Sequence, residues 1–184
     1  MISVTACRRA ALLAASMAAL AASAQAQLPE RPCRIVFDDE SWGPVDPWKT
    51  HGDIRLGPRM MQGDGSFMMM GQGTVTVTYE RNLRDGCTIT AGAEKTHPAQ
   101  VMVSSEDGRT GEVDVIVMND SHEITYTCRG AAGQGSIDKH VIVPPTVTIQ
   151  MLHGATAGYE DADPGNRTGN KGVMKIEYCR ADPQ

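Results

Sequence analysis

The chain has 184 residues, of which 41% are hydrophobic, 21% are charged and 4% are aromatic. This apolar fraction predicts a folded globular protein, because disordered chains contain fewer apolar residues. The formal net charge of −5 argues against a general nucleic-acid-binding protein, since such proteins carry a basic stripe. The 19 glycines and 10 prolines would interrupt long helices repeatedly, so they favour strands and turns.

The N-terminal segment has the pattern of a secretory signal peptide. Arg8 and Arg9 precede an apolar run over residues 10–22, which is too short to cross a bilayer of about 30 Å as a helix. An A-x-A cleavage site follows at residues 24–26. The segment is short and rich in alanine, which is typical of bacterial signals. An N-terminal membrane anchor is the alternative interpretation.

Cleavage at this site divides the chain into a signal peptide, residues 1–26, and a mature protein that begins at Gln27. The mature part, residues 27–184, is long enough for one domain with a hydrophobic core. It contains no further apolar run of the ~18 residues that a membrane helix needs. We therefore expect one exported domain in the periplasm, on the cell surface or secreted, with no membrane span after cleavage.

The mature protein retains four cysteines, Cys33, Cys87, Cys128 and Cys179. An even number of cysteines in an oxidising compartment predicts a disulfide framework. A four-cysteine zinc site is less favoured, because its close C-x-x-C spacings are absent. Three connectivities are open. Antiparallel neighbours place the start of one strand beside the end of the other, which favours Cys33–Cys179 with Cys87–Cys128.

Apolar and polar residues alternate along most of the mature chain, which predicts half-buried strands. Strands are expected at residues 67–79, 113–117, 124–127, 147–151 and 174–178, with shorter ones at 34–38, 88–91 and 100–104. The pattern predicts an all-β protein, an antiparallel β-sandwich with Ig-like or Greek-key connections. A small β-barrel is the alternative. Two stretches, residues 39–57 and 155–172, are predicted to be irregular.

The sequence contains no established catalytic motif. The patterns of a nucleophile elbow, a zinc protease, a phosphate-binding loop and a dinucleotide-binding loop are all absent. The histidines occur singly, and single histidines do not make a catalytic constellation. We therefore expect a non-enzymatic protein without a cofactor, which acts in binding or surface assembly through a protein partner or through self-assembly.

Methionine is concentrated in one short segment. Five methionines fall within twelve residues of one another: Met60, Met61, Met68, Met69 and Met70. A two-residue hairpin turn at Asp64-Gly65 would place Met61 opposite Met68 and Met60 opposite Met69. Met70 would then share the face of Met68. Met also fills gaps in hydrophobic cores, so a core position for these side chains is the other interpretation.

This hairpin suggests an alternative function in metal binding. Three thioethers on one face form the soft ligand set that suits Cu(I). His51 precedes the hairpin and offers a nitrogen ligand. The alternative prediction is therefore a periplasmic copper-binding protein with Met61, Met68, Met70 and His51 as ligands.

Four features follow one another in an order that matches a known layout. Cys33 lies early in the mature chain, and an F-G-x-x-x-P-like stretch follows over residues 37–47. A Gly-Thr-Val-Thr-Val-Thr strand occupies residues 73–78, and a Gly-x-x-x-Val-x-Val-x-Tyr-like strand occupies residues 172–178. This order resembles the secreted, pilin-like β-sandwich subunits of the spore coat protein U type.

The chain departs from that layout in three ways. Tyr79 stands where those proteins have a cysteine, Cys128 and Cys179 are additional, and six residues follow Tyr178. The resemblance implies a structural surface subunit that assembles by strand donation.

Overall fold

The structure is a computed structural model that describes residues 30–43, 47–83, 85–129, 134–165 and 167–180. The predicted signal peptide lies outside the described residues. Residues Arg31–Cys179 form a compact unit, and of the described residues only Glu30 and Arg180 fall outside it. No helix that could cross a membrane occurs in the described part of the chain.

The described residues form twelve strands, which confirms the predicted all-β, antiparallel class. The strands are β1 (Glu30–Trp42), β2 (Trp48–Leu56), β3 (Met60–Met61), β4 (Phe67–Tyr79), β5 (Cys87–Ala91), β6 (Glu94–Ser105), β7 (Thr110–Val117), β8 (Ser121–Cys128), β9 (Gln134–His140), β10 (Val147–Gln150), β11 (Thr156–Asp163) and β12 (Thr168–Arg180).

Nine of these strands form one sheet in the order β10-β7-β6-β4-β2-β1-β12-β11, with β3 paired to β4. The strands at the two ends of this order, β10 and β11, lie close together, so the sheet curls into a nearly closed, barrel-like form. The remaining strands form a three-stranded sheet in the order β5-β8-β9. This arrangement is consistent with the predicted sandwich or small barrel.

The core lies on the inner face of the large sheet, where alternate residues of each strand point. On β1 and β2 the side chains of Ile35, Phe37 and Ile54 are fully buried. Gly52 lies opposite Phe37, and a Cβ atom at Gly52 would overlap the Phe37 ring. The missing side chain therefore creates the space that the aromatic ring fills.

Two predictions of irregular structure were wrong, because β2 lies within residues 39–57 and β11 lies within 155–172. The inner positions of β2 include Thr50 and Gly52, so its hydrophobic alternation is interrupted in the sequence. The inner positions of β11 are the small Ala157 and the single aromatic Tyr159, between exposed polar neighbours. Each strand forms because it pairs with a long neighbour, β2 with β1 and β4 and β11 with β12 over its whole length.

Both disulfides follow the favoured connectivity. Cys33–Cys179 joins β1 to β12 across a sequence separation of 146 residues, and its Cα atoms lie 5.6 Å apart. Cys87–Cys128 joins the first residue of β5 to the last residue of β8, with a sequence separation of 41 residues. The two bridges indicate an oxidising, extracytoplasmic compartment.

We predict that all four of these cysteines are oxidised and that the two bridges differ in their contribution to stability. Replacing Cys33 and Cys179 together by Ser should lower the free energy of unfolding by about 2–5 kcal/mol in a urea titration. The Cys87 and Cys128 double variant should lose less, because the bridge closes a shorter loop. Alkylation of the native protein without a reductant should leave its intact mass unchanged, and a labelled pair of thiols would contradict the prediction.

Candidate functional site

A cavity of about 750 Å³ crosses the large sheet over β4, β2, β1, β12 and β11. Most of its lining comes from exposed, outward-pointing side chains of these strands. The residues that line it are Asp38, Asp39, Glu40, Lys49, Thr50, His51, Thr76, Thr78, Gly158, Tyr159, Glu160, Lys171, Gly172 and Val173. We call this cavity the charged groove, since its outward side chains are largely charged.

One row of the charged groove carries a histidine–aspartate pair. His51 Nδ1 lies 2.7 Å from Asp38 Oδ1, and both side chains are exposed. Thr76 lies opposite His51 on β4, but its hydroxyl bonds to Thr96 Oγ1 at 2.8 Å. The hydroxyl of Thr76, the imidazole of His51 and the carboxylate of Asp38 therefore lie on neighbouring strands. The hydroxyl of Thr76 bonds to β6 and not to the imidazole.

A second row alternates in charge from strand to strand. Lys49 on β2 pairs in register with Glu40 on β1, and Lys171 Nζ on β12 lies 3.6 Å from Glu40 Oε1. Glu160 on β11 is the register partner of Lys171. Exposed ion pairs of this kind contribute only about 0–1 kcal/mol to stability, so their stabilising effect does not account for the row. The row presents both signs of charge to a ligand.

A buried polar cluster lies at the inner face beneath the charged groove. Asp39 is 5% exposed, and its Oδ2 accepts hydrogen bonds from Asn170 Nδ2 at 3.1 Å and from the Tyr159 hydroxyl at 3.2 Å. Thr50, which is 2% exposed, is the register partner of Asp39 on β2. Among the described residues neither Asp39 Oδ1 nor Thr50 Oγ1 has a hydrogen-bond partner of good geometry.

Burial raises the pKa of Asp39 to about 6, and the hydrogen bonds from Asn170 and Tyr159 oppose this rise. Burial also raises the pKa of Tyr159, and the carboxylate of Asp39 adds to that effect, so the phenol stays protonated and donates. Buried carboxyl groups with shifted pKa values concentrate at functional sites, although structural networks shift pKa values too. Asp39, Thr50 and Tyr159 also contribute to the lining of the charged groove, so the groove and the polar cluster beneath it form the candidate functional site.

A second pair of buried titratable groups lies away from the groove. His97 on β6 and His122 on β8 are almost fully buried, and their facing ring nitrogens lie 3.4 Å apart. His97 Nδ1 donates to Asn119 O at 3.0 Å, and His122 Nε2 donates to Gly92 O at 2.7 Å. Burial lowers the pKa of His122, which favours its neutral form. This pair joins the three-stranded sheet to the large sheet, so we assign it a structural role.

The structure does not bring together the four predicted copper ligands. Met60, rather than Met61, lies opposite Met68, and Met61 lies opposite Phe67. The predicted two-residue turn was wrong, because the loop between β3 and β4 spans residues 62–66. Asp64 Oδ1 accepts hydrogen bonds from both the backbone N–H and the hydroxyl of Ser66, which holds Ser66 in the loop.

This shift of one residue reverses the faces of the two methionines on β3. Met61 joins the face of Phe67 and Met69, whereas Met60 joins the outward face of Met68 and Met70. The core interpretation is right for Met69, which is fully buried. His51 lies on β2 in the charged groove, bonded to Asp38, and does not belong to the methionine cluster.

The charged groove matches no known motif or protein. No protein-family model matches the chain, and no curated protein or solved structure matches it. The described part of the chain contains no group of three or more His, Cys, Asp or Glu residues placed to hold a metal ion. The signal that was missed is the alternation of Asp38 and Glu40 with buried neighbours on β1, and of Lys49 and His51 on β2.

We predict that the carboxylate of Asp39 lowers stability at neutral pH. The pKa of Asp39 is raised from 3.8 to about 6, so its contribution to stability is fully present below pH 3.8 and is lost as the pH rises through about 6. Asp39→Asn should therefore increase the free energy of unfolding near neutral pH by up to about 3 kcal/mol, and by little below the unfolded pKa. Urea titrations at several pH values measure this difference.

The exposed neighbour provides a matched control for this prediction. Asp38→Asn removes a carboxylate of the same strand and should change stability by less than about 1 kcal/mol, because its pair with His51 is solvated. The amide of Asn at position 39 keeps an oxygen for Asn170 and adds an N–H toward Thr50. Loss of stability in Asp39→Asn at neutral pH would contradict the prediction.

Proposed function

We propose that this protein is a non-enzymatic, extracytoplasmic binding protein and that the charged groove is its ligand-binding surface. The groove itself carries the proposal, since its volume of about 750 Å³ lies in the range of ligand sites. We also propose that residues 1–26 are removed as a signal peptide. The mature protein would then act in the periplasm, on the cell surface or outside the cell.

The chemistry of the groove supports binding rather than catalysis. The His51–Asp38 pair is exposed, and the nearest hydroxyl, that of Thr76, is bonded to Thr96. A transition state that carries an oxyanion needs free, pre-oriented N–H donors, whereas the backbone N–H groups of central strands are used in the sheet. Alternating charges across the strands instead match a polar ligand or partner that carries both signs of charge.

The edges of the large sheet support binding through the groove over assembly by strand addition. Three acidic residues, Glu160, Asp161 and Asp163, are exposed on the edge strand β11. The other edge strand, β10, has only four residues. Charged and short edges both oppose pairing with another chain. The resemblance to pilin-like subunits implies assembly by strand donation. Because the edges oppose it, we keep surface assembly as the second candidate function.

The proposal predicts that groove charges, and not sheet charges in general, determine retention by the cell envelope. A double variant, Lys49→Ser with Lys171→Ser, should lose retention when the purified mature protein is sedimented with envelope fractions of the organism that encodes it. The matched control, Arg55→Ser with Lys175→Ser, removes two exposed cations from the same two strands outside the groove and should behave as wild type. Equal behaviour of the two double variants would contradict a role of the groove.

The purified mature protein also serves to test the absence of catalysis and the second candidate function, surface assembly. Incubation with broad hydrolase substrates should give no turnover, and turnover that disappears in His51→Ala would indicate an enzyme. Size-exclusion chromatography with light scattering should show a monomer over a wide range of concentrations. Concentration-dependent oligomers would favour surface assembly instead.

A further inference from the structure

Four methionine side chains share one outward face of the large sheet, at the end remote from the charged groove. Met60 on β3 lies opposite Met68 on β4, and Met70 on β4 lies opposite Met102 on β6. Met60 and Met70 are 49% and 45% exposed, and Met68 and Met102 are half-buried. We call these four residues the thioether cluster.

The composition of the thioether cluster is not explained by packing. The remaining outward residues of β4 are polar: Gln72, Thr74, Thr76 and Thr78. Exposed thioethers gain little from the hydrophobic effect, which rewards only area removed from water. The outward residues of β6 on either side of Met102, Gln100 and Ser104, are polar as well, so the methionines do not belong to a wider apolar surface. The property that all four positions share is a soft sulfur donor.

The geometry allows three of the four sulfurs to converge. Side chains directly opposite each other on antiparallel strands have Cβ atoms about 4.5–5.5 Å apart, and diagonal neighbours are about 7–8 Å apart. Each methionine sulfur lies two bonds beyond its Cβ atom on a flexible chain, so the sulfurs of Met68 and Met70 can approach a common point with that of either Met60 or Met102. Met60 and Met102 lie on the two strands that flank β4, too far apart for both to bind the same ion. Gly57 follows the last residue of β2, and its backbone N–H donates to the carbonyl oxygen of Met70 at 2.8 Å. It has no side chain that could cover the cluster.

Charged side chains of both signs flank the thioether cluster, and Arg55 on β2, the register partner of Gln72, is a cation on the same outward face. Asp114 on β7 is the register partner of Met102, and its Oδ1 accepts a hydrogen bond from Thr146 at 2.6 Å. The guanidinium of Arg59, which precedes Met60, lies over the Phe67 ring at 4.6 Å from its centroid and is engaged there. A carboxylate beside the sulfurs lowers the electrostatic energy of a bound cation.

We propose that the thioether cluster binds one soft monovalent metal ion, Cu(I), through the sulfurs of Met68 and Met70 and of one flanking methionine, Met60 or Met102. Thioethers prefer soft ions such as Cu(I), and unlike thiols they do not form disulfides in an oxidising compartment. This site replaces the ligand set predicted from sequence: it excludes Met61 and His51, and it offers Met60 or Met102 as the third ligand. It is independent of the charged groove, so the binding function proposed for the groove can fail without affecting it.

The test is an anaerobic titration of the disulfide-bonded mature protein with Cu(I) against a competing chelator, with Ag(I) as a redox-inert probe. Wild type should bind one ion, and Met68→Leu and Met70→Leu should each weaken binding by about tenfold or more. Leu keeps most of the methionine volume, and circular dichroism of each variant checks that the fold is retained.

Two exposed methionines outside the cluster serve as matched controls. Met61, on the opposite face of β3, and Met118, beyond β7, are 63% and 47% exposed, and their Leu variants should keep the wild-type affinity. The double groove variant at Lys49 and Lys171 should also keep it. Unchanged affinity in both Met68→Leu and Met70→Leu, equal losses in the control variants, or no competitive binding by wild type would each overturn the proposal.

Discussion

The pairing of the first and last strands, β1 and β12, holds the large sheet in its curled form. Cys33 is bonded to Cys179, Arg34 Nη1 lies 3.1 Å from Glu177 Oε2, and Asp39 lies beside Gly172. The residue numbers fall on β12 as they rise on β1, so the two strands are antiparallel. This pairing lets the large sheet curl toward closure, because it places β11 beyond β1 and opposite the far edge at β10.

Both parts of the candidate site follow from this pairing. Asp39 on β1 reaches Asn170 on β12 and Tyr159 on β11 because β1 is paired with β12. Gly172 permits the close approach, since a Cβ atom there would lie 2.5 Å from the Tyr159 hydroxyl oxygen. The result is a buried carboxyl with one unpartnered oxygen, which costs stability.

The thioether cluster depends on a different constraint, the length of one hairpin loop. Side chains of a strand alternate between its faces, so a shift of one residue moves every side chain to the other face. Ser66 donates its backbone N–H and its hydroxyl to Asp64 Oδ1, and these bonds hold Ser66 in the loop rather than in a two-residue turn. Met60 is therefore paired with Met68. A local polar interaction thereby decides which thioethers point outward together and which one joins the face of Phe67.

The all-β class, most of the strands and the favoured cysteine pairing could be predicted from the residues alone. Local alternation encodes the strands, as in Val75 and Val77 against Thr74 and Thr76. The strands β2 and β11 could not be predicted in this way, because their hydrogen bonds come from pairing with neighbouring strands and not from an alternation of their own. The groove and the partner of Met68 also required the folded structure, since register depends on loop geometry and on pairing between strands that no single segment encodes.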